Sequence, residues 1–160
     1  MSATRLVFER EIGLSPVIVW DALVDQELVS GWLAEARIDA IVGGRFDLVW
    51  LYSMDQPPTS GTITELRQPS LLVINTDNRG RIEFRLDELA GGSRGVSTRL
   101  RLAVALDLDP AFVARVKANW MISLDQLEQL VRGHPVDWAT WDRDHIDQWA
   151  GYRDRFSARS

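Results

Sequence analysis

The stretch SPVIVWDALVDQELVSGWL, residues 15–33, decides how this chain is read. Ser15-Pro16 marks a helix start: serine suits the capping position, and the fixed φ of proline suits the first helical one. Val17, Trp20, Leu23 and Val24 then fall on one helical stripe. Asp25 restarts a helix, Leu28, Val29 and Trp32 form a second stripe, and Gly31 weakens its end. The stretch is too apolar for a loop and too interrupted for one long helix. Its spacing predicts two short amphipathic helices bent at Asp25, with Trp20 and Trp32 on either side of the bend.

The flanking segments alternate with the period of strands. RLVFEREI, 5–12, puts Leu6, Phe8, Arg10 and Ile12 on one face and Val7, Glu9 and Glu11 on the other. GRFDLVWLY, 44–52, follows a turn at Gly43-Gly44 and sends Phe46, Leu48, Trp50 and Tyr52 one way. A proline-containing loop, 53–60, precedes strands over 61–67 and 70–76, with a tight turn at Gln68-Pro69. TDNRG, 76–80, is a hairpin turn into 81–89, where Ile82, Phe84 and Leu86 alternate. AGGSRG, 90–95, turns into 96–105, which alternates through Val96, Thr98, Leu100, Leu102 and Val104. Strands joined by short turns form an antiparallel meander.

Asp109-Pro110 repeats the helix-start signal. From Pro110 to Arg132 the chain has no internal glycine or proline, and Val113, Val116, Trp120, Leu124, Leu127 and Val131 recur at steps of three and four. This is the longest helix, about 35 Å at 1.5 Å per residue, and Gly133 with Pro135 ends it. The tail VDWATWDRDHIDQWAGYRDRF, 136–156, carries aromatic or histidine residues at 138, 141, 145, 149, 152 and 156, a further helix with one aromatic face.

These elements predict an α+β fold. A curved antiparallel sheet with one apolar face needs a cover, and only the 110–132 helix is long enough to supply it. A sheet wrapped around a helix leaves a gap, and the two short helices plug one end. The expected organisation is one domain over 1–135, with 136–160 as a helical extension of it.

Bulk properties narrow the function. A chain of 160 residues buries a core without staples. The net charge of −5 argues against nucleic-acid and anionic-membrane partners, which reward a basic face. Arginine dominates the cations; Lys117 is the only lysine. The absence of cysteine excludes disulfides and thiol chemistry. No apolar signal region opens MSATRLVFER and no run is long enough to span a membrane, so a cytoplasmic location is expected.

Catalytic signatures are lacking. The two histidines, His134 and His145, are eleven apart with no zinc-type spacing, and no G-x-S-x-G or phosphate-cradling loop occurs. No catalytic residue, metal or cofactor is expected. The remaining candidate is the cavity. Its expected lining is Arg10, Trp32, Phe46, Leu48, Trp50, Tyr52, Phe84, Leu100, Val116, Trp120 and Leu124. Trp32, Trp50, Phe84 and Trp120 would supply most of the contact to a small apolar molecule, and Arg10 and Tyr52 would orient its polar end. Arg10 on an apolar face needs an internal carboxylate, a ligand acid, or a margin from which to reach water. Left in water, the tail's aromatic stripe would be an unusual apolar patch. The first expectation is packing back onto the domain; the alternatives are a homodimer interface through 136–156 and a lid over the cavity.

The residues also carry a resemblance. VWDALVDQELVSGWL at 19–33, GGRF with Leu48 at 43–48, GTITELRQPSLLVI at 61–74 and LDELAGGSRGVSTRLRLA at 86–103, followed by Trp120, Leu124 and Leu127, resemble the START-like (SRPBCC) superfamily. Within it they look most like the family named for the activator of the heat-shock-protein-90 ATPase homologue. The likeness covers roughly residues 5–132, and the tail lies beyond it. It implies a helix-grip fold with a deep, mostly apolar cavity and no single activity. Relatives include lipid and hormone carriers, polyketide cyclases and aromatases. The resemblance therefore leaves two alternatives to ligand carriage: a cyclase or aromatase in the same cavity, and an activator-like partner of a chaperone ATPase.

Overall fold

The computed structural model describes residues 4–51, 56–91 and 95–157. β1 (Thr4–Ile12) is followed by α1 (Pro16–Val24) and α2 (Gln26–Val29), then β2 (Glu35–Ile38), β3 (Phe46–Val49), β4 (Gly61–Arg67), β5 (Leu71–Thr76), β6 (Arg81–Ala90) and β7 (Val96–Leu106). The long helix is α3 (Val113–Val131), and the tail forms α4 (Trp141–Ser157); a single 3₁₀ turn precedes each, at Pro110–Phe112 and Trp138–Thr140.

The bend between the first two helices forms where the sequence marks it. Asp25 caps α2, its carboxylate accepting from the Glu27 amide at 2.9 Å. Asp109 does the same for the turn before α3, accepting from Ala111 at 2.9 Å. Ser15 differs: its side chain makes no capping bond, and its carbonyl accepts from Ile18 and Val19 instead. The inward stripe of α1 is also turned from the expected one. Val19, Trp20, Ala22 and Leu23 are buried, while Val17 is 54% exposed. PVIVWDALV is apolar nearly all round, so spacing alone does not say which side meets the sheet. In the next segment Val29 and Trp32 go inside and Leu28 stays at the surface.

β1, β7, β6, β5 and β4 lie side by side in that order, every pair antiparallel. β2 and β3 form a second antiparallel ribbon, tied to the first sheet by bridges from Arg45 to Thr62 and from Leu48 to Thr59. β2 carries little signal in the sequence: EARI is four residues long with one buried side chain, Ala36, too little alternation to mark a strand. A register shift between Ile63 and Glu65 breaks the β4–β5 ladder, the kind of irregularity that bends a strand. Where β4 passes the start of β3, a Cβ on Gly61 would stand 2.6 Å from the Phe46 carbonyl oxygen, so only glycine lets the two backbones approach.

The concave face carries Leu6, Phe8, Ile12, Ile74, Ile82, Phe84, Leu86, Leu100, Leu102 and Val104, all buried in one cluster with Trp20, Leu23, Trp32, Trp120, Leu124 and Leu127 from the helices. The sheet thus grips α3, and α1–α2 close one side of the grip.

On the convex face Glu83 is nearly buried between Arg85 at 2.8 Å and Arg81 at 3.2 Å. Burial by itself would raise its pKa; the hydrogen bonds and charges of Arg85 and then Arg81 outweigh that and hold it below the ordinary 4.5. A carboxylate depressed on folding adds stability that is fully present above its unfolded pKa and is lost as pH falls through the folded one. Glu83→Gln is therefore expected to reduce stability at neutral pH and to flatten the acid limb of a pH series of urea unfolding below about pH 4.5. An acid limb parallel to the wild type would contradict this.

Candidate functional site

The expected cavity residues divide into three groups. Trp32, Phe46, Leu48, Phe84, Leu100 and Leu124 are buried in the continuous core, with Val116 half-buried against it. The Trp32 ring meets Phe84 edge to face at 6.4 Å, and its Nε1 donates to the Ala22 carbonyl at 2.7 Å. That bond ties the segment after the second short helix back to the first, which accounts for Trp32.

Trp50 and Trp120 form the second group. With Leu33, Arg79, Asn119 and Ser123 they line a notch of about 10 Å³ at the margin of the grip, room for about one water molecule. Its lining joins two tryptophans and Leu33 to three polar side chains. Trp50 Nε1 donates to Thr59 Oγ1 at 3.0 Å, and Thr59 donates to Asn78 at 2.6 Å, tying β3 to the β5–β6 hairpin. The same hairpin supplies Arg79, whose guanidinium lies 4.0 Å above the Trp50 ring and also donates to Gln56. Asn119 accepts from Trp149 Nε1 at 2.7 Å, so α4 fixes one wall. Arg79, Asn119, Ser123 and Leu33 escaped the sequence reading. Asn119 and Ser123, four apart, lie together on one side of Trp120, a polar border that helical spacing makes legible; Arg79 sits in a turn, where no periodicity operates.

Arg10 stands apart. It is only 18% exposed, and its Nη1 donates to Asp125 at 2.7 Å and to Glu128 at 2.8 Å. Burial would lower its pKa; Asp125 and then Glu128 outweigh this and hold the charge. Asp125 also accepts from Gln148 at 2.7 Å and from the Tyr152 hydroxyl. Burial first, and Asp125 second, push the Tyr152 pKa up. Of the three fates expected for Arg10, the internal carboxylate is the one observed. At 3.6 residues per turn, Met121, Asp125 and Glu128 lie about half a turn around α3 from Asn119 and Ser123. Arg10 and the Trp50 notch are therefore on opposite flanks of the helix. Tyr52, the other expected polar residue, lies outside the described residues.

The tail stripe packs back onto the domain. Trp138 Nε1 donates to the Ser30 carbonyl at 2.7 Å. Trp141, buried, donates to Gln126, which donates in turn to the Trp32 carbonyl at 2.7 Å. His145 lies 6.0 Å from the Trp141 ring. Among the described residues no group of three His, Asp or Glu side chains could hold a metal ion, and no helix is long and apolar enough to cross a membrane.

Residues 14–132 match the family described as Activator of Hsp90 ATPase homolog 1-like protein. Several solved structures share the fold. Protein MLL2253 from Mesorhizobium loti is 21% identical, with a TM-score of 0.69 over 83% of this chain and 100% of that one. The solution structure of CalU16 from Micromonospora echinospora is 20% identical, with a TM-score of 0.70 over 96% of this chain and 85% of that one. The AHSA1-like protein from Aeromonas hydrophila is 21% identical, with a TM-score of 0.64 over 81% of this chain and 92% of that one. Residues 1–135 alone cannot supply a 96% share, so the CalU16 match takes in most of the tail. No curated protein matches the chain.

Proposed function

The chain belongs to the Activator of Hsp90 ATPase homolog 1-like family, and on that premise we propose that it binds a small apolar molecule between the sheet and α3, entering at the Trp50–Trp120 notch. The observation that carries this reading is the notch itself: two tryptophans in its lining and one cation stacked over the Trp50 ring. A notch that holds one water must widen to admit a guest. Lifting a cation from a ring near the surface costs about 0.5–1 kcal/mol. An aromatic-sized guest that buries ~150 Å² of apolar area gains about 4 kcal/mol before association costs. Lifting Arg79 by itself therefore offsets only a small part of that gain. The expected lining beyond the notch, Phe46, Leu48, Phe84, Leu100, Val116 and Leu124, forms the wall into which the guest would extend.

Binding is favoured over a cyclase or aromatase reaction because general acid–base chemistry needs a titratable group within reach of the substrate. The described notch residues offer Arg79, Asn119 and Ser123, none of which exchanges a proton readily at neutral pH.

The test is titration with the uncharged dye Nile red, together with native mass spectrometry of freshly purified protein. Saturable binding is expected. Arg79→Ala should tighten it by about two- to fivefold, the cation–π cost converted to an affinity ratio. Ser123→Leu, which fills the notch, should weaken it at least about tenfold, as should Trp120→Ala if that variant folds. Equal affinity in wild type and Ser123→Leu would remove the site from the notch. The mass spectrum also reads subunit number, which tests a homodimer through the exposed margin of the tail at Ile146.

A further inference from the structure

A second groove, about 510 Å³, runs along the outer edge of β1, between that strand and the α3 and α4 side chains. Among the described residues β1 ends the sheet and pairs on one side only, with β7. The groove's charges are unevenly matched. Glu9 on its rim faces Arg99 at 3.3 Å and Arg101 at 3.4 Å, and Arg10 at its far end is held by Asp125 and Glu128. Arg5, Lys117 and Arg155 also line it, and among the described residues none of the three has an ion-pair partner. Three unmatched cations at one groove, including the chain's only lysine, stand out in a protein of net charge −5. Two of them share one ring: Lys117 Nζ is 5.3 Å and the Arg155 guanidinium 5.4 Å from the centroid of Phe156. Beside that ring the wall is apolar, from Met121 on α3.

We infer that this groove binds an amphipathic carboxylate, its head between Lys117 and Arg155 and its chain along Phe156 and Met121. The volume lies within the 300–1,000 Å³ of ordinary small-molecule sites. An anion between Lys117 and Arg155 would relieve their mutual repulsion, and a cation–carboxylate pair gains strength in a partly desolvated groove. An acidic peptide could instead add a strand to the free β1 edge. Arg10 argues against that: its side chain crosses from β1 to α3 and closes the groove at one end. A strand has to run past that crossing, whereas a chain with a single head needs only one open end. The site is separate from the Trp50 notch, and neither proposal depends on the other.

The experiment is calorimetric titration of the full chain with decanoate below its micellar concentration, at low salt, with decanol as the uncharged control. Decanoate should bind and decanol should bind more weakly. Lys117→Glu and Arg155→Glu should each weaken decanoate about tenfold or more, the usual weight of a charged hydrogen bond. Lys117→Arg should keep the affinity, raised salt should weaken it, and Ser123→Leu should leave it unchanged. Lys117→Gln serves if the reversed charge unfolds the protein. Undiminished affinity in both Glu variants overturns the proposal. So does binding of the peptide Glu-Val-Glu-Val-Glu-Val without decanoate binding, which would make β1 a docking strand. Binding to phosphatidylglycerol vesicles without binding to monomeric decanoate overturns it as well.

Discussion

Phe84→Ala is expected to destabilise the protein by about 3–5 kcal/mol, the range for deleting a fully buried aromatic ring and leaving its space unfilled. Phe84 occupies the middle of β6, level with Leu72 on one neighbouring strand and Leu102 on the other, and its ring receives the edge of Trp32. All three of those neighbours are themselves fully buried. None can swing into the vacated volume without opening another gap, so little of the loss is recovered by relaxation. A domain of this size is stable by about 5–15 kcal/mol, so the variant sits near the limit of folding. Urea unfolding measures the change, and the midpoint of thermal unfolding should fall by roughly 10 °C. A loss below about 1 kcal/mol would mean that Phe84 borders open space rather than packed side chains. The apolar guest would then have room without displacing anything. The substitution therefore separates a solid interior from a ligand chamber.

Arg10→Met should cost about 2–3 kcal/mol, somewhat less than the 3–5 kcal/mol of a fully buried pair because water reaches part of this one. The substitution keeps the stem and removes the charge. Asp125 and Glu128, one turn apart on α3, would then face each other without the guanidinium that joins them. Tyr152 and Gln148 would still donate to Asp125, but neither brings a charge. One outcome distinguishes this account from lost packing. The triple variant Arg10→Met/Asp125→Asn/Glu128→Gln should recover most of the stability, because a neutral cluster needs no counter-charge. Thermal unfolding followed by circular dichroism checks it. A penalty undiminished in the triple variant would assign Arg10 to packing alone.

Period-two alternation from 81 to 105 was enough to place Ile82, Phe84, Leu86, Leu100 and Leu102 on the gripping face, and the 3.6-residue stripe of 113–131 was enough to name the helix they grip. Both signals are strong because half of each element meets water and half does not. Where that contrast fades, the reading fails. α1 is apolar on nearly every side, so its inward stripe came out rotated and Val17 lies at the surface. β2 is too short to alternate visibly. The notch residues Arg79 and Asn119 come from a hairpin and from the polar border of a helix, and they meet only because the sheet curls.

Local order was thus written in the chain by itself: the strand faces, the helix starts at Asp25 and Asp109, the long helix and the aromatic side of the tail. Tertiary structure alone decided the partners. Arg10 could be assigned to a ligand, to water or to a carboxylate until β1 came to rest against α3, 115 residues away in sequence, and brought Asp125 within 2.7 Å. Alternation depends on a residue's immediate neighbours, whereas charge pairing and the space left beside Trp50 depend on how distant surfaces stack, which no local pattern encodes.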